Sequence, residues 1–337
     1  MIEATALICQ ADQTFSLQPV HLPDPSDEQI VVRTLYTGVS IGTEFSLIRG
    51  RLSWGPYPIC TGYMGVGVIE HVGAAVEGLA AGQRVWFRHN ELMQYPDGRT
   101  ISPTAGGHCS HAAFNPTGTH GAGRLPDGVD LAAAAMFVCA AVGLYGVDMA
   151  NPRMGTVVVV YGAGLVGQAV VAACAHRGCR VIVVDIRDKP LEVASIMGAD
   201  VVIDGCRQDV AAEVQAIAGE GADHVFECTG LPENIDPAIS LCRKFGTYIW
   251  QGNYGAEPFQ MQFLRPHGKQ VRMFFPCDDG MVPCRQAVLK NMASGALRWQ
   301  ECITHRIEAA EAPATFDRIN KGQLHDVLGV VIHWSDL

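Results

Sequence analysis

The alternation of apolar and polar positions divides the chain into two parts of different texture. Residues 1 to about 125 contain short β-prone segments, among them 29–35, 66–72 and 83–87, which are separated by Gly, Pro and Asp turns. This pattern predicts a β-rich domain. From residue 155 onward, strand-length apolar runs alternate with helical segments. Because these Val- and Ile-rich runs are joined by helices, they predict a parallel sheet that is buried on both faces.

The same pattern predicts the domain boundaries. The alternating part, residues 127–289, is predicted to be an α/β domain with a doubly wound parallel sheet. The late part of the chain contains one more apolar run, 331–334, which we expect to return to the first part. The β-rich domain is therefore predicted to comprise residues 1–126 and to be completed by about 290–337.

A glycine-rich turn connects the first strand and the first helix of the alternating part. It reads Gly162-Ala163-Gly164-Leu165-Val166-Gly167. In such a turn the first glycine permits a tight bend, the second lets the backbone approach a pyrophosphate, and the third lets helix and strand pack closely. The phosphates are then held by the free N–H groups at the helix N-terminus. We predict that this turn binds a dinucleotide in a Rossmann domain.

Two charged residues at the end of the second strand bear on which dinucleotide is bound. Asp185 lies about 20 residues after the glycine turn, where a carboxylate accepts the ribose hydroxyls of NAD and repels the extra phosphate of NADP. Arg187, two residues further on, is a cation that tolerates this phosphate. The pattern predicts NAD as the cofactor and leaves NADP as the less favoured alternative.

Composition and charge disfavour several kinds of partner. The net charge is −10, whereas nucleic-acid-binding proteins usually carry a basic face. The longest apolar runs are far shorter than the roughly 20 residues of a membrane span, and the sequence shows no secretory signal at its start. We therefore expect a cytoplasmic protein whose partner is a small-molecule substrate, and neither a nucleic acid nor a membrane.

Several stretches together resemble the medium-chain dehydrogenase/reductase superfamily over essentially the whole length. They are residues 37–44 (TGVSIGTE), 62–69 (GYMGVGVI), 81–85 (AGQRV) and 226–230 (FECTG). The resemblance implies a GroES-like, β-rich catalytic domain beside the Rossmann domain and hydride transfer between a nicotinamide and an alcohol or ketone. It also implies a homodimer, because the last strand of the Rossmann sheet commonly pairs two subunits in the superfamily.

The segments that hold zinc in members of this superfamily are altered here. Ser40 or Ile41 stands where those members have a cysteine, and Tyr63 and Met64 replace their histidine and glutamate. Zinc needs thiolate, imidazole or carboxylate ligands, so we expect no zinc. The sequence of residues 37–44 resembles a zinc-less subgroup whose best-known type dehydrogenates the hydroxyethyl side chain of bacteriochlorophyllides.

Without a metal, hydride transfer needs a hydrogen-bond donor or general base beside the reacting oxygen. The resemblance places Thr43 at the position of the hydroxyl relay, Glu44 beside it, and Tyr63 in the same cleft. Ser40 and His108 are further candidates. The structural alternatives are turn-stabilising hydrogen bonds for Thr43 and Glu44, a packed aromatic ring for Tyr63, and a buried or cleft-facing histidine for His108.

Further positions are candidates for substrate and cofactor contacts. Arg49, Trp54 and Tyr57 follow the first motif in a predicted loop, where aromatic rings stack on a sugar face and an arginine meets a carboxylate or phosphate; loop packing is the alternative. The resemblance also assigns a set of residues to the nicotinamide side of the cofactor. They are Cys228, Thr229, Gly252 and Phe275.

The leading hypothesis is an NAD-dependent, zinc-independent dehydrogenase that oxidises a secondary alcohol or reduces the corresponding ketone. A polar cleft with Tyr, Ser, Thr, Arg and His suits a polyol, cyclitol or sugar-like substrate. One alternative is an NADPH-dependent enone or quinone reductase, which Asp185 argues against. Another is a protein that binds NAD(H) without catalysis.

Overall fold

The computed structural model describes residues 1–334, so the last three residues of the 290–337 portion predicted to complete the β-rich domain lie outside the described residues. The chain forms two compact units. Unit 1 comprises residues 1–137, 292–294 and the chain from 303 onward, and unit 2 comprises residues 138–291 and 295–302.

The strands, in chain order, are β1 (Ile2–Cys9), β2 (Phe15–Leu22), β3 (Ile30–Val39), β4 (Ile59–Cys60), β5 (Gly65–Val72), β6 (Arg84–Phe87), β7 (Met93–Gln94), β8 (Thr100–Pro103), β9 (His111–Phe114), β10 (Ala122–Arg124), β11 (Val157–Tyr161), β12 (Arg180–Asp185), β13 (Val201–Asp204), β14 (Ala222–Glu227), β15 (Cys242–Trp250), β16 (Arg272–Phe274), β17 (Ile303–Glu308) and β18 (Gly329–His333). The helices are α1 (Ile41–Ile48), α2 (Leu131–Ala134), α3 (Phe137–Ala150), α4 (Leu165–His176), α5 (Asp188–Met197), α6 (Val210–Ala218), α7 (Ile235–Ser240), α8 (Leu264–Lys269), α9 (Met281–Ala293) and α10 (Ala312–Asn320).

Unit 1 is built from two β layers. A closed barrel has the strand order β1-β2-β7-β8-β4, and a seven-stranded sheet has the order β10-β6-β5-β3-β18-β17 with β9 also paired to β3. The late strand β18 pairs antiparallel with β3, so the expected return to the first part occurs. Around this pairing Phe45, Phe316 and Trp334 are fully buried, and burying such a side chain stabilises the fold by about 1.5–3 kcal/mol.

Unit 2 contains a six-stranded parallel sheet with the order β13-β12-β11-β14-β15-β16. Val159, Ile182 and Val225 are fully buried in its central strands, as expected for a parallel sheet covered on both faces. The predicted doubly wound Rossmann sheet is therefore confirmed. Because the strands are parallel, the carboxyl ends of β11, β12, β14 and β15 share one edge of the sheet, where ligands bind in this architecture.

Within residues 1–334, none of the helices is both long and apolar enough to cross a bilayer.

Candidate active site and cofactor site

The glycine turn between β11 and α4 has the geometry that a dinucleotide requires. Gly162 has φ 102°, which is accessible to glycine at little cost. A Cβ atom on Gly167 would lie 2.0 Å from the Gly162 carbonyl oxygen, so the helix packs directly on the turn. A Cβ on Gly164 would meet no described atom within 4 Å. The N-terminus of α4 is thus open where a pyrophosphate would be held by backbone N–H groups.

Asp185 lies beside this turn, and its carboxylate is occupied by hydrogen-bond donors. Its Oδ2 accepts the backbone N–H of Ala163 at 2.8 Å, and its Oδ1 accepts those of Ile186 at 2.8 Å and Arg187 at 3.0 Å. The Arg187 guanidinium also approaches Oδ1, with Nε at 3.2 Å. The structure therefore brings together Ala163, Asp185 and Arg187, and their role in binding a ribose stays a prediction.

A second carboxylate, which the sequence reasoning missed, organises the nicotinamide-side turns. Glu227 ends β14 fully buried, and its side chain accepts the backbone N–H groups of Thr229 at 2.9 Å and Gly230 at 3.1 Å. The hydroxyl groups of Thr229 and Tyr254 donate to it as well. Burial, reinforced by the Glu227 charge, raises the pKa of Tyr254. The sequence signal that could have identified Glu227 is an acidic residue at the end of an apolar strand.

The other cofactor candidates lie around this carboxylate. The Cys228 backbone N–H donates to the Tyr161 carbonyl at 2.8 Å, and that of Gly252 donates to the Glu227 carbonyl at 2.8 Å. A Cβ on Gly252 would lie 2.4 Å from the Gly230 nitrogen, so these two turns touch. Phe275 follows the edge strand β16, is 65% exposed and stacks on Trp250 with ring centroids 5.3 Å apart.

In unit 1, two of the predicted catalytic residues form a buried pair. His108 Nε2 lies 2.8 Å from Glu44 Oε2, and both side chains are fully buried. His108 Nδ1 lies 2.9 Å from Thr37 Oγ1, to which the Trp334 indole also donates at 2.9 Å. Glu44 Oε2 further accepts the Thr61 hydroxyl at 2.8 Å. We call these five residues the Glu44 cluster.

The Glu44 cluster fixes the backbone at the start of α1. Glu44 Oε1 accepts the backbone N–H of Ser40 at 2.7 Å, which ties the start of α1 to the cluster. Buried polar groups are costly unless they are hydrogen-bonded, and these partners satisfy the polar atoms of both side chains. Because Glu44 and His108 are inaccessible, their placement favours positioning of α1 and of residue 61 over direct substrate contact.

Thr43 and Tyr63 are the more accessible candidates. Both are partly exposed, Thr43 in the first turn of α1 and Tyr63 in the segment before β5. The Tyr63 ring lies 6.4 Å from the ring of Trp54, and the Arg88 guanidinium carbon lies 5.7 Å from its centroid. Arg88 was not predicted, because the sequence of β6 and of the residues after it gives no sign of a contact with Tyr63.

The three predicted substrate residues have different environments. The Tyr57 hydroxyl donates to the Ile48 carbonyl at 2.8 Å, and Arg49 donates to Asn320, with Nε 3.0 Å from Oδ1. Both side chains therefore fasten the end of α1 to its surroundings. Trp54 is instead 53% exposed, and together with Tyr57 it lines a cavity of about 220 Å³ within unit 1.

Comparisons with known proteins agree with this architecture. Residues 26–138 match the family model described as "Alcohol dehydrogenase GroES-like domain", and residues 166–293 match the one described as "Zinc-binding dehydrogenase". The chain is 24% identical to sorbitol dehydrogenase of Ovis aries, over 95% of this chain and 94% of that protein. It is 26% identical to the zinc-type alcohol dehydrogenase-like protein YdjJ of Escherichia coli K12, over 98% of each.

A solved structure shows the same fold. The chain superposes on a protein of Sinorhizobium meliloti 1021, solved with NADP bound, with a TM-score of 0.83 and 22% identity. The match covers 99% of this chain and 100% of that one.

These findings correct the cofactor prediction. The expectation that zinc is absent is wrong, because the matching family model and YdjJ are both of the zinc type. Among residues 1–334, no three His, Cys, Asp or Glu side chains lie together as a metal-binding group. The described side chains therefore do not form a fitting zinc site, and no reaction step is assigned to a metal.

The predicted preference for NAD over NADP stays a prediction. One solved neighbour is bound to NADP and another, from E. coli CFT073, is complexed with NADH, and the Asp185 carboxylate, on which the preference rests, accepts backbone N–H groups and contacts Arg187. With both domain families matched and the Rossmann turn in place, the chain belongs to the medium-chain dehydrogenase/reductase superfamily and is an oxidoreductase.

Proposed function

We propose that this chain transfers a hydride between a pyridine nucleotide and a secondary alcohol or ketone of a polyol-, cyclitol- or sugar-like substrate. The observation that carries the proposal is the open N-terminus of α4, where a Cβ on Gly164 would meet no described atom within 4 Å. A relative named sorbitol dehydrogenase supports a polyol as the substrate class.

In this proposal, the two units divide the work between binding the nucleotide and positioning the substrate. When bound, the nicotinamide supplies the hydride acceptor or donor. The glycine turn binds the pyrophosphate, and the Glu227 carboxylate holds the turns at Thr229 and Gly252. The hydroxyl groups of Thr43 and Tyr63, which are both partly exposed, orient the reacting oxygen and relay its proton to or from solvent. The Glu44 cluster keeps α1, and with it Thr43, in place.

The substrate class is tested by following NADH and NADPH absorbance over a panel of polyols, cyclitols and sugars. Enones are run in parallel, because turnover of an enone alone would identify the reductase alternative. Nucleotide binding without turnover of any of these compounds would instead favour a protein that binds NAD(H) without catalysis.

Removing the Thr43 hydroxyl tests the proposed catalytic residues. We expect Thr43→Val to lower kcat about 10²- to 10⁴-fold, the range for a lost proton-transfer group, with nucleotide affinity unchanged. Ser46→Ala is the matched control, because the Ser46 hydroxyl lies on the same helix and donates to the Gly42 carbonyl at 2.8 Å. Equal activity in the two variants would contradict the assignment of Thr43.

We further propose that the chain forms a homodimer through the edge strand β16. Apolar side chains are exposed at and near this end of the sheet, with Phe275 65% and Phe263 68% exposed, and a sheet edge offers unpaired backbone groups for pairing. Phe275→Glu should shift the mass measured by light scattering toward the monomer. Leu92→Glu, at a leucine of unit 1 that is 61% exposed, should not.

A further inference from the structure

We propose that Cys174 and Cys179, at the end of α4 in unit 2, are a site of reversible oxidation at which a peroxide converts the two thiols into a disulfide. Cys179 is the thiol that reacts with the peroxide, and Cys174 is the thiol that resolves the product. The reaction is separate from the proposed hydride transfer and does not depend on it.

The backbone at the end of α4 brings the two cysteines together. Gly178, which follows the helix, has φ 74°. Its N–H donates to the Ala175 carbonyl at 2.9 Å, and the N–H of Cys179 donates to the Cys174 carbonyl at 3.1 Å. These two bonds form a Schellman motif, in which the side chains at the ends of the outer bond are frequently in contact.

The separation of the two residues suits a disulfide. The Cα–N bond of one residue and the Cα-to-oxygen distance of the other add at most about 4 Å to the 3.1 Å hydrogen bond. The two Cα atoms therefore lie within about 7 Å of each other, which is the limit for a disulfide. A disulfide also needs side chains that are directed at each other, and the Cys174 and Cys179 thiols are hydrogen-bonded to each other.

The groups around Cys179 favour its thiolate. The hydrogen bond from Cys174 lowers the pKa of the Cys179 thiol, although burial and the Asp223 charge oppose it. The Thr156 hydroxyl, with Oγ1 3.6 Å from Sγ, and the Arg177 charge lower this pKa further. Burial raises the pKa of Cys174. Because the thiolate is the reactive form of cysteine, Cys179 is the thiol that attacks the oxidant.

Cys179 also has the access that a small oxidant needs. It is 7% exposed, whereas Cys174 is fully buried. The neighbouring Met154 is 82% exposed, and a Cβ on Gly178 would lie 3.0 Å from its side chain, so the end of α4 lies at the protein surface. While it is protonated, the Cys179 thiol donates to the Arg153 carbonyl at 3.5 Å. Hydrogen peroxide is little larger than water and is therefore the oxidant that fits this position.

The oxidation takes place in two steps. The Cys179 thiolate attacks one oxygen of hydrogen peroxide, the O–O bond breaks, and a sulfenic acid forms while the hydroxide released takes up a proton to become water. The Cys174 sulfur then attacks the sulfenic sulfur, the S–O bond breaks, and the leaving hydroxide takes the Cys174 proton and departs as a second water. In total, two thiols and one hydrogen peroxide give one disulfide and two waters.

Peptide mapping of the full-length protein tests the proposal. The protein is treated with hydrogen peroxide at neutral pH, its fold is checked by circular dichroism, and its free thiols are alkylated before digestion with trypsin. Trypsin cleaves after Arg177, so a bridge between Cys174 and Cys179 joins two tryptic peptides. We expect this joined pair, with a mass about 2 Da below the sum of the reduced peptides, and its complete loss after dithiothreitol.

Variants assign the two roles. Cys179→Ser should abolish the loss of the Cys174 thiol, whereas Cys174→Ser should leave a sulfenic acid at Cys179 that dimedone traps. The matched controls are Cys206→Ser and Cys277→Ser, which remove exposed thiols and should retain the joined peptides.

The wild-type map decides the proposal even where a variant does not fold. Folded wild-type protein that keeps both thiols reduced in peroxide would overturn it, as would a bridge that forms only after unfolding in urea. Trapping of the sulfenic acid at Cys174 in the Cys179→Ser variant would overturn the assigned roles.

Discussion

The buried carboxylates of the two units are satisfied in different ways. In unit 2, Asp185 accepts three backbone N–H groups and Glu227 accepts two, and four of these five donors lie within three residues along the chain. In unit 1, Glu44 accepts one backbone N–H, from Ser40, and is otherwise held by side chains distant in sequence, His108 at 64 residues and Thr61 at 17. Thr37 in turn receives the indole of Trp334, 297 residues away.

The carboxylates of unit 2 therefore depend on local backbone conformation, whereas Glu44 depends on tertiary structure. Backbone donors are supplied by any sequence that adopts the turn, so the contacts at the carboxyl ends of the unit 2 strands depend on glycine conformations and on where the strands end. The Glu44 cluster forms only when β3 and β18 are paired, because that pairing brings Thr37 and Trp334 together. Removing one member of such a network leaves its hydrogen-bond partners buried and one bond short.

The largest expected effect is therefore in unit 1. Glu44→Ala leaves His108, Thr61 and the Ser40 N–H without their acceptor, and we expect the free energy of unfolding to fall by about 3–5 kcal/mol. Urea denaturation measures it. Glu70→Ala is the control, because the exposed pair of Glu70 with Arg33 contributes at most about 1 kcal/mol. Similar losses in the two variants would show that the Glu44 cluster does not stabilise unit 1.

The second prediction contrasts two buried histidines. His108 is hydrogen-bonded through both ring nitrogens, whereas burial lowers the pKa of His224 in unit 2 to about 4. Unfolded chains bind this proton near pH 6.5, so protonation favours the unfolded state between pH 6.5 and about 4. Stability is complete above this range and falls as the pH decreases through it. At about 1.4 kcal/mol per pKa unit, the loss is on the order of 3 kcal/mol.

The measurement is the free energy of unfolding of the wild type and of His224→Leu across this pH range. The variant lacks the titrating group, so its stability should depend less on pH, and the difference between the two curves isolates the histidine. Parallel curves would contradict the assignment.

The third prediction separates folding from binding within the glycine turn. Gly167→Ala places a Cβ 2.0 Å from the Gly162 carbonyl oxygen, and such overpacking costs about 1–3 kcal/mol. Gly164→Ala meets no described atom and should leave the melting temperature unchanged while weakening dinucleotide binding about 10- to 100-fold, because the methyl group takes the space of the pyrophosphate. Calorimetry and thermal unfolding measure the two effects. Unchanged affinity in Gly164→Ala would remove the main support for the pyrophosphate site.

The sequence predicted the parts of the fold that depend on local pattern. The apolar run before the glycine turn forms β11 (Val157–Tyr161), and the helix predicted to open after the turn is α4 (Leu165–His176). These two features follow from period and turn chemistry, which a linear sequence contains. The assignment of Cys228, Thr229 and Gly252 to the cofactor came from the resemblance instead, and these residues lie around Glu227.

The contacts of individual side chains were less accessible to prediction. Glu227 and Arg88 were missed, and Tyr57 and Arg49 proved to be anchored by hydrogen bonds to Ile48 and Asn320. The prediction of no zinc rested on the ligand positions of two short segments and was wrong against the relatives of the whole chain. Side-chain partners depend on distances that only the folded chain defines.

By itself, the sequence determined the architecture and the dinucleotide turn, because strand period, helix period and the spacing of Gly162, Gly164 and Gly167 are properties of neighbouring residues. Tertiary structure decided how the charged groups are used. It occupied the carboxylate of Asp185 with backbone amides and with Arg187, and it buried Glu44 against His108. The physical reason is that the free energy of a charge in a protein depends on its burial and its partners, and strands distant in sequence supply both.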